Sequence, residues 1–215
     1  MAVINFKTWK NNSFSHSKRN LFNGNSLRIF GSVSVTASWA IAMYALYVYL
    51  GAALYSENKF SSSEIATAVI FYGIGAVIGS LAGGQLTDRF GEKKISKVTL
   101  ILLTLALVCL GIFFISNIWI YFFLFLWALV GYAGFTSYTA RLAVEYPNER
   151  GNVMAWNMTA LYIGITLGSM LGGFVISKWG YSFLPYACSI AAMLSFILST
   201  QKVKETKTKS AVSNT

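Results

Sequence analysis

The sequence predicts an all-α integral membrane protein: six transmembrane helices arranged as two inverted three-helix repeats, with both termini cytoplasmic. Three observations predict it. First, 55% of the 215 residues are hydrophobic and only 11% are charged, where a soluble domain carries about a quarter charged. Second, the charges are gathered at boundaries, and residues 30–56, 65–87, 98–140, 151–177 and 179–201 contain no Asp, Glu, Lys or Arg. A span needs about 20 predominantly apolar residues. The 43-residue stretch therefore holds two spans split at Ser116-Asn117, and the helices fall at 31–54, 65–87, 95–115, 118–140, 152–176 and 181–200. Third, the bases alternate in a fixed way. With both termini inside, fifteen Lys and Arg face the cytoplasm and only Lys59 and Lys178 face out, which is a strong positive-inside bias. The net charge of +10 then needs no nucleic-acid partner to explain it.

Residues 1–29 are polar and basic and read as a cytoplasmic tail or linker. The apolar core of a signal peptide runs only about 7–15 residues, and the first apolar run here is longer, so it reads as a span. This first helix carries Tyr44 and Tyr47 three residues apart on one face, with Tyr49 on another. Two readings stay open for the pair: interfacial belt tyrosines, or cavity residues offering π-faces and hydroxyls to a substrate.

The second helix has small residues every four positions, Gly75, Gly79 and Gly83. Such a stripe lets another helix approach backbone to backbone, which matters most in lipid, where close packing replaces the hydrophobic drive. The helix ends in a tight charged turn, Gly84-Gln-Leu-Thr-Asp88-Arg89-Phe-Gly91-Glu92-Lys93-Lys94, which must sit at the membrane surface because Asp and Arg are costly at mid-bilayer.

The third and fourth helices form a hairpin rich in Leu, Ile and Phe, in which Trp119, Tyr121 and Trp127 read as interface and lipid-facing residues. Tyr132, Thr136 and Ser137, with Gly131 and Gly134, give the fourth helix a smaller, more polar side and supply the other cavity candidates, Tyr132 and Ser137. The segment Arg141-Leu-Ala-Val-Glu145-Tyr-Pro147-Asn-Glu-Arg150-Gly151 then closes one helix with proline and opens the next. Arg141 and Glu145 are i,i+4 neighbours. They can pair with each other, pair with Asp88 and Arg89, or simply mark the membrane boundary with Arg150.

The fifth helix repeats the stripe with Gly164, Gly168 and Gly172. Aligned on the second helix at an offset of 89 residues, five glycines and a serine coincide, Arg89 meets Lys178, and Phe90 meets Trp179. The offset equals three helices, an odd number, so one copy ends inside and the other outside. That is an inverted-topology repeat. The sixth helix reads as plain packing, and residues 201–215 as a basic cytoplasmic tail.

Metal and redox chemistry find no support. Cys109 and Cys188 lie in separate helices, His16 is the only histidine, and no metal or cofactor is expected. An intramembrane enzyme would need a nucleophile or metal cluster in the spans, and the sequence places no His, Asp or Glu there.

The loop from Gly84 through Asp88, Arg89 and Gly91 to Lys93 and Lys94 resembles the loop signature of the major facilitator superfamily, with Glu92 where that family usually carries a base. The tyrosine-rich first helix and the Pro-Asn-Glu-Arg-Gly turn are similar to the C-terminal six-helix half of drug:proton-antiporter and sugar-efflux members. The resemblance implies a twelve-helix transporter of which residues 30–200 supply one bundle. It also implies a second six-helix bundle, either another copy or a separately encoded half, a small-molecule substrate exported across the cell membrane, and a proton as coupling ion. The glycines of both stripes would meet the partner bundle, and Asp88 would sit by a partner helix N-terminus as a gate. No ionisable group lies mid-membrane, so a proton-carrying carboxylate would belong to the other half. The alternative is a truncated or non-transporting membrane interaction subunit.

Overall fold

The computed structural model describes residues 24–114 and 119–201. Of the expected tail over residues 1–29, residues 1–23 lie outside the described residues, as do the turn at Ser116-Asn117 and the basic tail after Gln201, while residues 24–29 are helical and open the first helix. Among the described residues there are seven α-helices, α1 (Gly24–Tyr47), α2 (Leu50–Asn58), α3 (Ser62–Phe90), α4 (Glu92–Phe113), α5 (Ile120–Glu145), α6 (Arg150–Trp179) and α7 (Leu184–Thr200), and all but the short α2 supply the six candidate spans. A 3₁₀ turn, Tyr181–Phe183, precedes α7.

All the spanning helices but α7 extend beyond the charge-free stretches that announced them. The 29 residues of α3 reach about 44 Å at 1.5 Å per residue, enough to cross the headgroup layers as well as the hydrocarbon. Freedom from charge marks only the hydrocarbon, whereas the hydrogen-bonded helix continues through both interfaces.

The first span is broken where one straight helix was expected. The Tyr49 N–H bonds Leu46 O at 3.2 Å, three residues back rather than four, and its backbone sits at φ −103°, ψ 4°. Such a 3₁₀ interruption is a recognised cause of a kink. Across it, the Tyr49 hydroxyl donates to Ser169 O on α6 at 3.0 Å. The ring occupies room left by Gly172 and Gly173, where a methyl group would come within 2.8–2.9 Å of its atoms.

Short turns make successive spans antiparallel. Between α2 and α3, Lys59 adopts φ 57°, and Ser61 and Glu64 form a reciprocal capping box that satisfies first-turn N–H groups. Gly91 alone joins α3 to α4 at φ 86°, and its N–H bonds Thr87 O at 2.9 Å. Gly180, its partner in the 89-residue alignment, ends α6 at φ 85° with its N–H on Ile176 O at 3.0 Å. The two repeats therefore stop in the same way. Gly180→Ala is expected to cost about 1–3 kcal/mol, since a side chain is strained at positive φ although open space surrounds the site. Thermal unfolding in detergent measures this, with Gly151→Ala, helical and equally open, as the neutral control.

The packing repeats the same symmetry. α3 lies along α5 and α6 lies along α1; α4 backs α5, α7 backs α1, and α4 meets α7 behind them. Polar side chains tie α1 to its neighbours. Trp39 Nε1 donates to Gly131 O at 2.9 Å, Thr36 Oγ1 to Asn157 Oδ1 at 2.6 Å, Ser195 Oγ to Val35 O at 2.9 Å, and the Tyr138 hydroxyl to Ser32 O at 2.8 Å. α1 is thus the best-buried span, while α3 and α6 stand at two edges of the bundle and bury only 22% and 28% of their most apolar windows.

Candidate functional site

On the face bounded by α3 and α6, three helices bring aromatic rings together. Tyr44 and Tyr47 of α1 meet edge to face at 6.1 Å, and Tyr47 stacks on Tyr72 of α3 at 4.8 Å. Tyr72 lies 4.9 Å from Trp127 and 6.2 Å from Tyr132, both of α5. Trp39 meets Tyr44 and Tyr132 and stacks on Phe135 at 4.8 Å. Trp39 and Trp127 are buried beneath, Tyr44 and Tyr132 are half-buried, and Tyr47 and Tyr162 of α6 are exposed. The result is an uncharged platform of π-faces and hydroxyls anchored on a rigid indole base. It can bind an aromatic or amphipathic solute by stacking and hydrogen bonding, and it offers no acid or base for chemistry at neutral pH.

Tyr44, Tyr47 and Tyr132 are therefore brought together, while the fourth cavity candidate is not. Ser137 is fully buried in the α3–α5 seam, where it accepts from Thr87 Oγ1 at 2.8 Å and lies 2.8 Å from Ala133 O. Its small polar side chain glues two helices and faces no cavity. Tyr72 and Trp127 were missed in the opposite sense. Trp127 was assigned to the lipid, yet it is fully buried. Tyr72 carried a usable signal, because the buried positions of α3 run Ala68, Tyr72, Gly75, Gly79, Gly83 and Thr87, one continuous helical face.

The glycine stripes also need correction. They do not face outward to a partner but are consumed inside the bundle. Methyl groups at Gly75, Gly79 and Gly83 would overlap the α5 backbone at Phe125, Leu129 and Ala133. At Gly164, Gly168 and Gly172 they would meet the α1 backbone at Ala37, Ile41 and Ala45. The two contact sets are equivalent under the inverted repeat, each stepping by four residues. What α3 and α6 present outward is bulky instead, including Ile74, Val77, Ile78 and Leu81 on one and Ile163, Leu167, Met170 and Phe174 on the other.

At the far end of α3, Asp88, Arg89, Lys93 and Lys94 are exposed, and Arg89 and Lys94 flank the Phe90 ring at 5.4 and 6.0 Å. Gly84 has open space around its Cα. Arg141 is engaged elsewhere: it pairs with Glu145 at 2.8 Å and donates to Ser199 O of α7 at 3.1 Å. Of the pairings open to the sequence, the local one holds, and Arg150 instead donates to Ala143 O at 2.8 Å.

Comparison with known proteins accords with this architecture. The family model of the Major Facilitator Superfamily matches residues 29–214. The chain is 28% identical over 175 residues to the uncharacterized MFS-type transporter YwfA of Bacillus subtilis, covering 80% of this chain and 42% of that protein. It is 28% identical over 186 residues to the inner membrane transport protein YdhP of Escherichia coli K12, covering 83% of this chain and 47% of that one. A benzoate transport protein of Acinetobacter baylyi is 28% identical over 188 residues, with 81% and 38% covered. The fold matches a solved POT family transporter, PepTSo, with a TM-score of 0.68 at 17% identity, covering 80% of this chain and 36% of that one. The chain thus spans less than half the length of these relatives. From the six apolar spans, the repeated glycine seams and the family match over residues 29–214, this is a multi-pass membrane protein that belongs to the Major Facilitator Superfamily.

Proposed function

We propose that this chain acts as one six-helix half of a secondary transporter, exporting a small solute across the cell membrane by alternating access. A second six-helix bundle, another copy or a separately encoded half, packs on the outward rows of α3 and α6 and closes the face over the tyrosines. The observation that carries this reading is the tyrosine platform itself. Rings from α1, α3 and α5 converge between the two least-buried spans, where hydroxyls facing lipid alone would find no use. The distribution of bases favours cytoplasmic termini, and on this reading Asp88 and Arg89 would act at a cytoplasmic gate between the halves.

The platform suits an aromatic or lipophilic solute. A relative whose name states benzoate transport is compatible with aromatic cargo, but a carboxylate cargo needs a cation, and the platform has none. That cation, like the carboxylate of a proton antiporter, would come from the second bundle. The alternative, a non-transporting interaction subunit, predicts no transport in any combination.

Native mass spectrometry of the protein in lipid nanodiscs, with and without its genomic neighbours co-expressed, tests the proposal. A defined dimer or a complex supplying six further helices is expected. A chain that stays monomeric in every combination supports the interaction-subunit reading instead.

A further inference from the structure

Away from the tyrosine platform, helix ends at one end of the bundle line an open cavity of about 610 Å³. Its walls come from the starts of α1 and α4 and the ends of α5 and α7. Four cations line it, Arg28, Lys93, Lys97 and Arg141, against one carboxylate, Glu145. That carboxylate is already committed to Arg141 at 2.8 Å. Arg28, Lys93 and Lys97 form no salt bridge among the described residues. Arg28 lies over the Tyr146 ring at 5.5 Å, and its Nε is buried without a hydrogen-bond partner.

A partly buried guanidinium nitrogen left unpaired is costly, and clustered cations repel one another. An anion drawn into the cavity would relieve both. The volume falls in the range of sites for small organic ligands rather than a single bare ion. Guanidinium and ammonium groups converging on one space suit phosphate oxygens, and basic pockets between membrane helices at the cytoplasmic side suit lipid headgroups.

We propose that this cavity binds a phosphate-bearing anion, supplied either by an anionic phospholipid of the adjoining leaflet or by a free phosphate ester. The site is separate from the solute platform, since α4 and α7 form its wall while α3 and α6 frame the other face. It therefore holds whether or not the chain transports.

The test titrates the protein, purified in a neutral detergent, with short-chain phosphatidylglycerol, phosphatidylcholine and glycerol 3-phosphate, following adducts by native mass spectrometry and the shift in thermal unfolding. Saturable binding of phosphatidylglycerol over phosphatidylcholine is expected. Removing two charged contacts, Arg28→Gln with Lys97→Gln, should weaken it by about tenfold or more. Lys59→Gln, at the other end of the bundle, should leave it unchanged. If Arg28→Gln compromises folding, Lys93→Gln with Lys97→Gln takes its place and should weaken binding likewise. Glycerol 3-phosphate binding as well as the lipid assigns the site to free anions, and lipid binding alone assigns it to the leaflet. Equal binding of both lipids with no binding of glycerol 3-phosphate, no saturable binding at all, or charge-removed variants that bind as tightly as the parent would overturn the proposal.

Discussion

Gly79→Val is expected to cost the isolated chain about 3 kcal/mol or more, the upper end of overpacking effects, and so a large share of a typical folding stability of about 5–15 kcal/mol. The reason is the seam between α3 and α5. A Cβ at Gly79 would overlap the Leu129 carbonyl, and the atoms it meets are backbone, which cannot rotate away as a flexible side chain could. In lipid the two helices are held by close packing and a few hydrogen bonds, so separating them removes most of what joins them, including the Thr87–Ser137 contact at 2.8 Å. Gly168→Val on α6 should act in the same direction but more weakly, because its Cβ would crowd Ile41 and Ala45 of α1 only at 3.1–3.2 Å. Gly73→Val, in the same helix but facing open space, should be tolerated. Yield of monodisperse protein and its thermal unfolding in detergent measure the difference. A Gly79→Val chain as stable as its parent, yet unable to assemble with another bundle, would return the stripe to a role between halves.

Under the proposed function, Tyr47→Ala is expected to reduce solute transport by the assembled protein about two- to tenfold while leaving the bundle folded. Tyr47 is exposed and stacks on Tyr72, so its loss strips the platform's outer ring with little effect on the core. Aromatic pairs contribute about 0.5–1.5 kcal/mol beyond the area they bury, and 1.4 kcal/mol is a factor of ten in affinity. Tyr47→Phe keeps the ring and should retain most of the activity. Tyr72→Ala is the contrasting case, because Tyr72 is buried against Trp127 and its removal should destabilise the chain as well. Export of a panel of aromatic solutes from vesicles, normalised to folded protein, reads these effects. Parent-level export by Tyr47→Ala would remove the platform from the solute path.

Legibility differed between backbone and side chains. Each span was visible within a stretch without charge, the third and fourth sharing one, and the turn glycines Gly91 and Gly180, which share a positive φ, align in the sequence. The repeat was legible because a backbone contact leaves its mark on the sequence as an absent side chain. The glycines say that something packs closely at Gly75 or Gly164, but not whether it belongs to the same bundle. Ser137 and Trp127 show the same limit. A small hydroxyl on a glycine-rich helix suits a cavity or a seam, and a tryptophan suits lipid or core, so composition alone left them misassigned.

The sequence by itself determined that the chain is an α-helical membrane protein of six spans with an inverted repeat, because lipid forbids unpaired backbone groups and midplane charge. Those constraints act on each segment separately and are written along it. The tertiary structure decided which helix each stripe meets, that Tyr72 joins Tyr44, Tyr47 and Tyr132, and that Arg28, Lys93 and Lys97 surround one cavity. These depend on how helices distant in sequence are rotated about their axes against one another. Rotation is fixed by packing across several partners at once, which no single segment records.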